Sequence, residues 1–81
     1  MLLNMYSVCD VKSSFYTPFF EANDEVAIRN FKTLLNSTGL IADYPDDFSL
    51  YAIGCFDTND GFVVSKPEII MIARGMDLKE D

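Results

Sequence analysis

The spacing of apolar residues changes along the chain, and each change marks an element. From Met5 to Lys12 the pattern alternates, with Met5, Cys9 and Val11 on one side and Tyr6 and Val8 on the other, which predicts a strand. Ser13-Ser14 reads as a turn into a short aromatic strand, Phe15 to Phe20. Pro18 cannot donate a ladder hydrogen bond, so this strand belongs at a sheet edge. From Asp24 to Ser37 the spacing becomes helical. Ala27, Ile28, Phe31, Leu34 and Leu35 fall on one stripe, and Glu25, Arg29, Lys32 and Asn36 fall on the opposite face. Asn23 is a suitable N-cap, Asp24 and Glu25 complement the positive end of the helix dipole, and Glu25 is spaced to pair with Arg29. Gly39 suits a left-handed helix terminus, with Leu40 returning onto Leu35.

Ile41 to Asp47 reads as an acidic loop, and Phe48 to Phe56 as the longest strand. In that strand Phe48, Leu50, Ala52 and Phe56 share one side, and Tyr51, Ile53 and Cys55 the other. Both sides are largely apolar, as expected of a central strand covered on both faces. Asp57 to Gly61 (DTNDG) is a hairpin loop returning into Phe62 to Lys66. Beyond it, Pro67 and Glu68 open either a helical turn to Arg74, ended by Gly75, or a strand over Ile69 to Ile72. Residues 75–81 read as a charged tail.

The sum is one α+β domain over residues 1–81, a small antiparallel sheet of about four strands with one amphipathic helix on one face, in the order β-β-α-β-β. One helix covers one face only. The other apolar face needs a second cover, and a symmetric copy of the chain meets that need, so a homodimer is expected.

Composition narrows the chemistry. Thirteen acidic against six basic residues give a formal charge of −7, a field that repels phosphate backbones. Histidine is absent and cysteine occurs twice. Zinc frameworks and Ser–His or Cys–His nucleophile pairs are therefore excluded. Cys9 and Cys55 lie in apolar strand-like segments and read as buried, reduced thiols. The glycines are scattered singly, so no phosphate-cradling loop is present.

DTNDG places Asp57, Asn59 and Glu68 at three calcium-loop positions, but Phe62 occupies the position that requires glycine, and a solvated turn is the better reading. The carboxylate pairs Asp24-Glu25, Asp46-Asp47 and Asp57 with Asp60 lie in loops or at a helix start, where solvation keeps them ordinary. No catalytic residue, cofactor, metal or small-molecule substrate is expected, and the chain reads as a non-enzyme. Neither a basic leader nor an apolar run of membrane-spanning length is found, since the longest run is Ile69 to Ala73. A soluble protein of a reducing cytoplasm is expected, without membrane contact. For contact with a partner or with single-stranded nucleic acid, the candidates are the cations Lys12, Arg29 and Lys32 with Tyr16 as a stacking or docking aromatic.

The run YSVCDVKSSFYTPFFEANDEVAIRNFKTLLN, followed by PDDFSLYAIGCFDTNDG, resembles the small nonstructural protein of gokushovirus-type microviruses, which are single-stranded DNA phages. The resemblance is carried by Asp10 and Lys12, Pro18-Phe19-Phe20, Asn23, Ala27-Ile28-Arg29, Phe31 and Asn36. It continues through Pro45, Asp47, Leu50, Ile53-Gly54, Phe56-Asp57 and Gly61, and fades after Lys66. It implies an accessory factor in viral single-stranded DNA synthesis or packaging, in the host cytoplasm, partnered by a phage or host replication or packaging protein. Two alternatives stand beside it. One is direct, weak single-stranded DNA binding. The other is an acidic mimic of nucleic acid that inhibits a host protein, which requires Asp24, Glu25, Asp43, Asp46 and Asp47 on one exposed face.

Overall fold

Tyr6, Val8, Leu50 and Ala52 project from one side of a sheet onto Ala27, Phe31 and Leu35 of a helix, and these side chains with Phe48 form the core. The structure is a computed structural model, described over residues 1–80. Four antiparallel strands, β1 (Leu2–Asp10), β2 (Phe19–Glu21), β3 (Phe48–Asp57) and β4 (Val63–Arg74), lie in the order β2-β1-β3-β4. β2 and β3 both pair antiparallel to β1 and so run parallel to each other. The chain must cross a sheet face between them, and α1 (Asp24–Leu35) makes that crossing. The α+β class and the strand–helix order are those expected from the pattern.

Local chemistry explains α1. Asn23 is extended (φ −157°) and its side chain accepts a hydrogen bond from the Val26 amide at 3.0 Å. Ala27, Phe31 and Leu35 are buried, whereas Leu34, expected on the stripe, is exposed. The stripe is therefore narrower than its apolar residues suggest. Glu25 and Arg29 form no ion pair among the described residues.

The helix ends at Leu35, two residues before the expected Ser37, because its last carbonyls find side-chain partners rather than a glycine terminus. The Asn36 amide group donates to Lys32 O at 2.9 Å, the Ser37 hydroxyl to Thr33 O at 2.5 Å, and the Lys79 ammonium to Leu35 O at 2.6 Å. Gly39 does adopt a positive φ (126°), but it caps the next short helix, α2 (Leu40–Asp43). With a 3-10 turn at Pro45–Asp47, α2 replaces the expected acidic loop.

The other departures lie in the sheet. β1 starts at Leu2 rather than Met5, and β2 is only three residues long. Phe15 nevertheless bridges Cys9, and the Tyr16 amide donates to Val8 O at 2.8 Å, so the aromatic segment does follow the edge of β1. A bulge at Ile53, between Ala52 and Gly54, moves the later side chains of β3 to the opposite face. Phe56 consequently leaves the helix side and stacks against Phe20 at 5.6 Å. Cys55 is displaced the other way, and both cysteines are free and half-buried.

Residues 63–74 form one continuous strand of 12 residues, so the strand alternative holds and the helical turn does not. Pro67 is tolerated because it falls in the irregularity between Ser65 and Ile70, where the ladder to β3 is interrupted. The charged tail is folded too. Gly75–Leu78 is a short helix, α3, with Gly75 buried and Leu78 packed against the core. The Glu80 amide then donates to the Asn36 side chain at 2.8 Å.

Candidate interaction surfaces

The four expected contact residues do not meet in one place. Arg29 and Lys32 lie on the solvent side of α1. Lys32 is already engaged by Glu80 at 2.8 Å, with both side chains largely exposed. The Lys32 ammonium holds the Glu80 carboxyl below its ordinary range. Arg29 is left as the cation of that face with no ion pair among the described residues. Lys12 sits on the turn after β1, where Asp10 accepts from the Lys12 amide at 2.9 Å and from the Ser13 hydroxyl at 3.2 Å. Tyr16 lies at the sheet edge, its ring edge-on to Phe48 at 5.8 Å and its carbonyl accepting from Ser7 Oγ at 2.6 Å.

Tyr16 borders a second surface that the sequence did not single out as a site. Alternation from the observed pairings turns Met5, Ser7 and Cys9 of β1, Phe20 of β2, Tyr51, Ile53 and Phe56 of β3, and Val63, Ser65 and Met71 of β4 away from α1. A groove of about 480 Å³ runs across this face between Phe15 and Pro18 on one side and Val63 and Ile69 on the other, with Met5 and Ile53 at its floor. Phe15 packs edge-on to Tyr51 at 5.4 Å. Phe15 is 45% exposed and Ile69 48%. None of the strand residues turned this way is a carboxylate, although the chain carries −7. The available signal was the run Ile69 to Ile72, which alternates across β4 and supplies this face.

Acidic groups gather elsewhere. Asp24 and Glu25 begin α1, whereas Asp43, Asp46 and Asp47 follow its C-terminal end, a separation of roughly 18 Å for a twelve-residue helix. The five carboxylates named for the mimicry alternative thus form two groups, one at each end of α1. Among the described residues no group of three or more metal-binding side chains comes together.

Asp24 also holds the core in place, since its carboxylate accepts from the buried Tyr6 hydroxyl at 2.6 Å. Burial first, and the Asp24 hydrogen bond next, push the Tyr6 phenol up to about 12. A raised folded pKa stabilises the protein below the unfolded value near 10, and that contribution is lost as pH rises toward 12. Thermal unfolding between pH 9 and 12 should therefore show a loss of stability in the wild-type chain that is smaller in Tyr6→Phe. Parallel curves for the two proteins would contradict this role.

A protein-family model described as Phage ORF5 protein matches residues 3–78. Neither a curated protein nor a solved structure matches the chain. No helix among the described residues is long and apolar enough to cross a membrane.

Proposed function

As the chain belongs to the Phage ORF5 protein family and is thus a phage protein, we propose that it is a non-enzymatic accessory factor of viral single-stranded DNA synthesis or packaging. In this reading it is a nonstructural protein of the gokushovirus-type microvirus kind, acting in the host cytoplasm by contact with a phage or host replication or packaging protein. The observation that carries it is the distribution of surface chemistry. Its exposed assets are an apolar sheet face and a small basic spot on a strongly acidic chain, which are means of binding rather than of bond-making.

The partner contact is assigned to the outer face of α1, where Arg29 stands unpaired among the described residues and Lys32 is held by an exposed, exchangeable carboxylate. Both partners of this pair are largely exposed and solvent screens their attraction, so a partner's carboxylate can displace Glu80 at little cost. The double substitution Arg29→Glu with Lys32→Glu should leave folding intact and abolish single-strand accumulation in infected cells. Wild-type single-strand yield from the double variant would refute the assignment.

Direct single-stranded DNA binding is the second reading, favoured by the paired aromatics Phe15 with Tyr51 and Phe20 with Phe56 on a face turned away from the acids. It requires oligonucleotide binding at low salt that weakens steeply as salt rises. Absence of binding at low salt would dispose of it.

A further inference from the structure

We propose that the sheet face turned away from α1 is covered by the same face of a second copy of this chain, as a two-fold, sheet-on-sheet dimer.

Three observations select this occupant. First, the face has little to offer a charged ligand. Of the residues lining its groove, Lys66 alone is charged. Arg74, at the end of β4, is already paired with Asp77 at 3.1 Å. Phosphates would find few cations here, and a basic partner would find the acids elsewhere.

Second, two copies that each carry −7 can associate only if their carboxylates stay apart. Stacking through this face leaves Asp24, Glu25, Asp43, Asp46 and Asp47 in the outer layer of each copy. Two sheets about 10 Å apart then lie between the two sets, more than the roughly 8 Å over which physiological salt screens exposed charge.

Third, sheet extension is blocked at both edges. β2 is only three residues long and follows Pro18, and β4 carries Lys66, Pro67 and Glu68 in its irregular stretch. Short edges, proline and edge charges disfavour strand addition. With the edges blunted, the faces remain. β1, β3 and β4 have nine, ten and twelve residues, and a three-strand face of that length measures roughly 33 by 14 Å before the short β2 and the Phe15 to Pro18 segment beside it are added. With these and side-chain relief included, the area approaches the roughly 800 Å² per partner of a standard interface.

The proposal is independent of the α1 contact and is tested separately from it. Sedimentation equilibrium of the full chain should show a dimer at micromolar concentration. Val63→Lys and Ile69→Lys, both at exposed positions, should each raise the dimer dissociation constant at least about tenfold. Their far-UV circular dichroism should stay that of the wild type. Arg29→Glu with Lys32→Glu should keep the dimer intact even where phage function is lost, so failure of one reading is distinguishable from failure of the other. Three results would each overturn the proposal. One is a wild-type monomer throughout the micromolar range, whether or not it binds oligothymidylate. Another is a dimer insensitive to both lysine substitutions. The last is a dimer in which the amides of Val63 to Lys66 and of Glu68 to Ile70 become protected from hydrogen exchange, which signifies edge pairing.

Discussion

Phe31→Ala is expected to remove about 3–5 kcal/mol of folding stability, the cost of truncating a fully buried phenylalanine. Phe31 has 0% exposure and lies in the cluster that joins α1 to Tyr6, Val8, Leu50 and Ala52. A chain of this length has a total stability of about 4–12 kcal/mol, so a single ring carries a large share of it. The loss is large because truncation removes the buried ring and leaves a cavity that the surroundings close only in part. The core is one layer between a single helix and a single sheet face, and Phe31 is one of its largest fully buried side chains. Urea denaturation read by circular dichroism should show the midpoint collapse. Leu34→Ala, at an exposed position three residues further on, should cost less than about 1 kcal/mol. Equal midpoints for the two variants would mean that the helix packs on a different stripe.

The contrast between Phe31 and Leu34 also shows what the amino-acid pattern could and could not disclose. Where one local rule decides, pattern and structure coincide: the Asn23 cap, the start of α1 at Asp24, the DTNDG hairpin with Gly61 at φ 77°, and the edge position of the Pro18 segment. Where two distant segments decide together, the pattern alone misleads. The bulge at Ile53 exchanges the faces of Cys55 and Phe56 and depends on pairing with Met5 and Tyr6. Pro67 suggests a helix start, yet it sits inside β4 because β3 needs no ladder bond there. The end of α1 depends on Asn36 and on Lys79, 44 residues from the carbonyl that its side chain reaches.

The candidate site follows the same division. Arg29 and Lys32 are legible as cations on the polar side of a helix, because helical spacing alone places them there. That Glu80 occupies Lys32 is not legible, since it needs the tail to fold back. The groove is legible only as a need. Two apolar faces on β3 require two covers, but which residues line the uncovered one depends on the β4 register. Lys12 and Tyr16 join the helix cations by residue type alone, whereas the topology sends one to a turn and the other to the sheet edge.

The folded tail leads to the second large effect, at Gly75. An alanine there is expected to cost about 1–3 kcal/mol or more and to undock residues 75–80. The added methyl carbon would clash with the Pro45 carbonyl oxygen, and would stand 2.9 Å from Phe48 O and 3.0 Å from a Leu35 methyl group. Two of these three neighbours are backbone atoms that cannot rotate aside. Gly75 is therefore required for close approach rather than for an unusual dihedral, since its φ is not among the positive values. Its neighbours belong to the 3-10 turn, to β3 and to α1, so the strain falls where three elements meet. Displacing α3 removes Leu78 from the core, the Lys79 ammonium from Leu35 O, and Glu80 from Lys32. The last helical turn of α1 then loses one of its carbonyl partners and should fray. Hydrogen exchange should accelerate at Leu34 to Ser37 and at Lys79, while Val8 and Leu50 in the sheet stay protected. Lys79→Ala provides the scale: it removes one hydrogen bond and leaves the close approach intact, so it should cost about 1 kcal/mol. If Gly75→Ala is no more costly than Lys79→Ala, the junction is looser than its distances indicate, and the tail contributes only the contacts of its charged end.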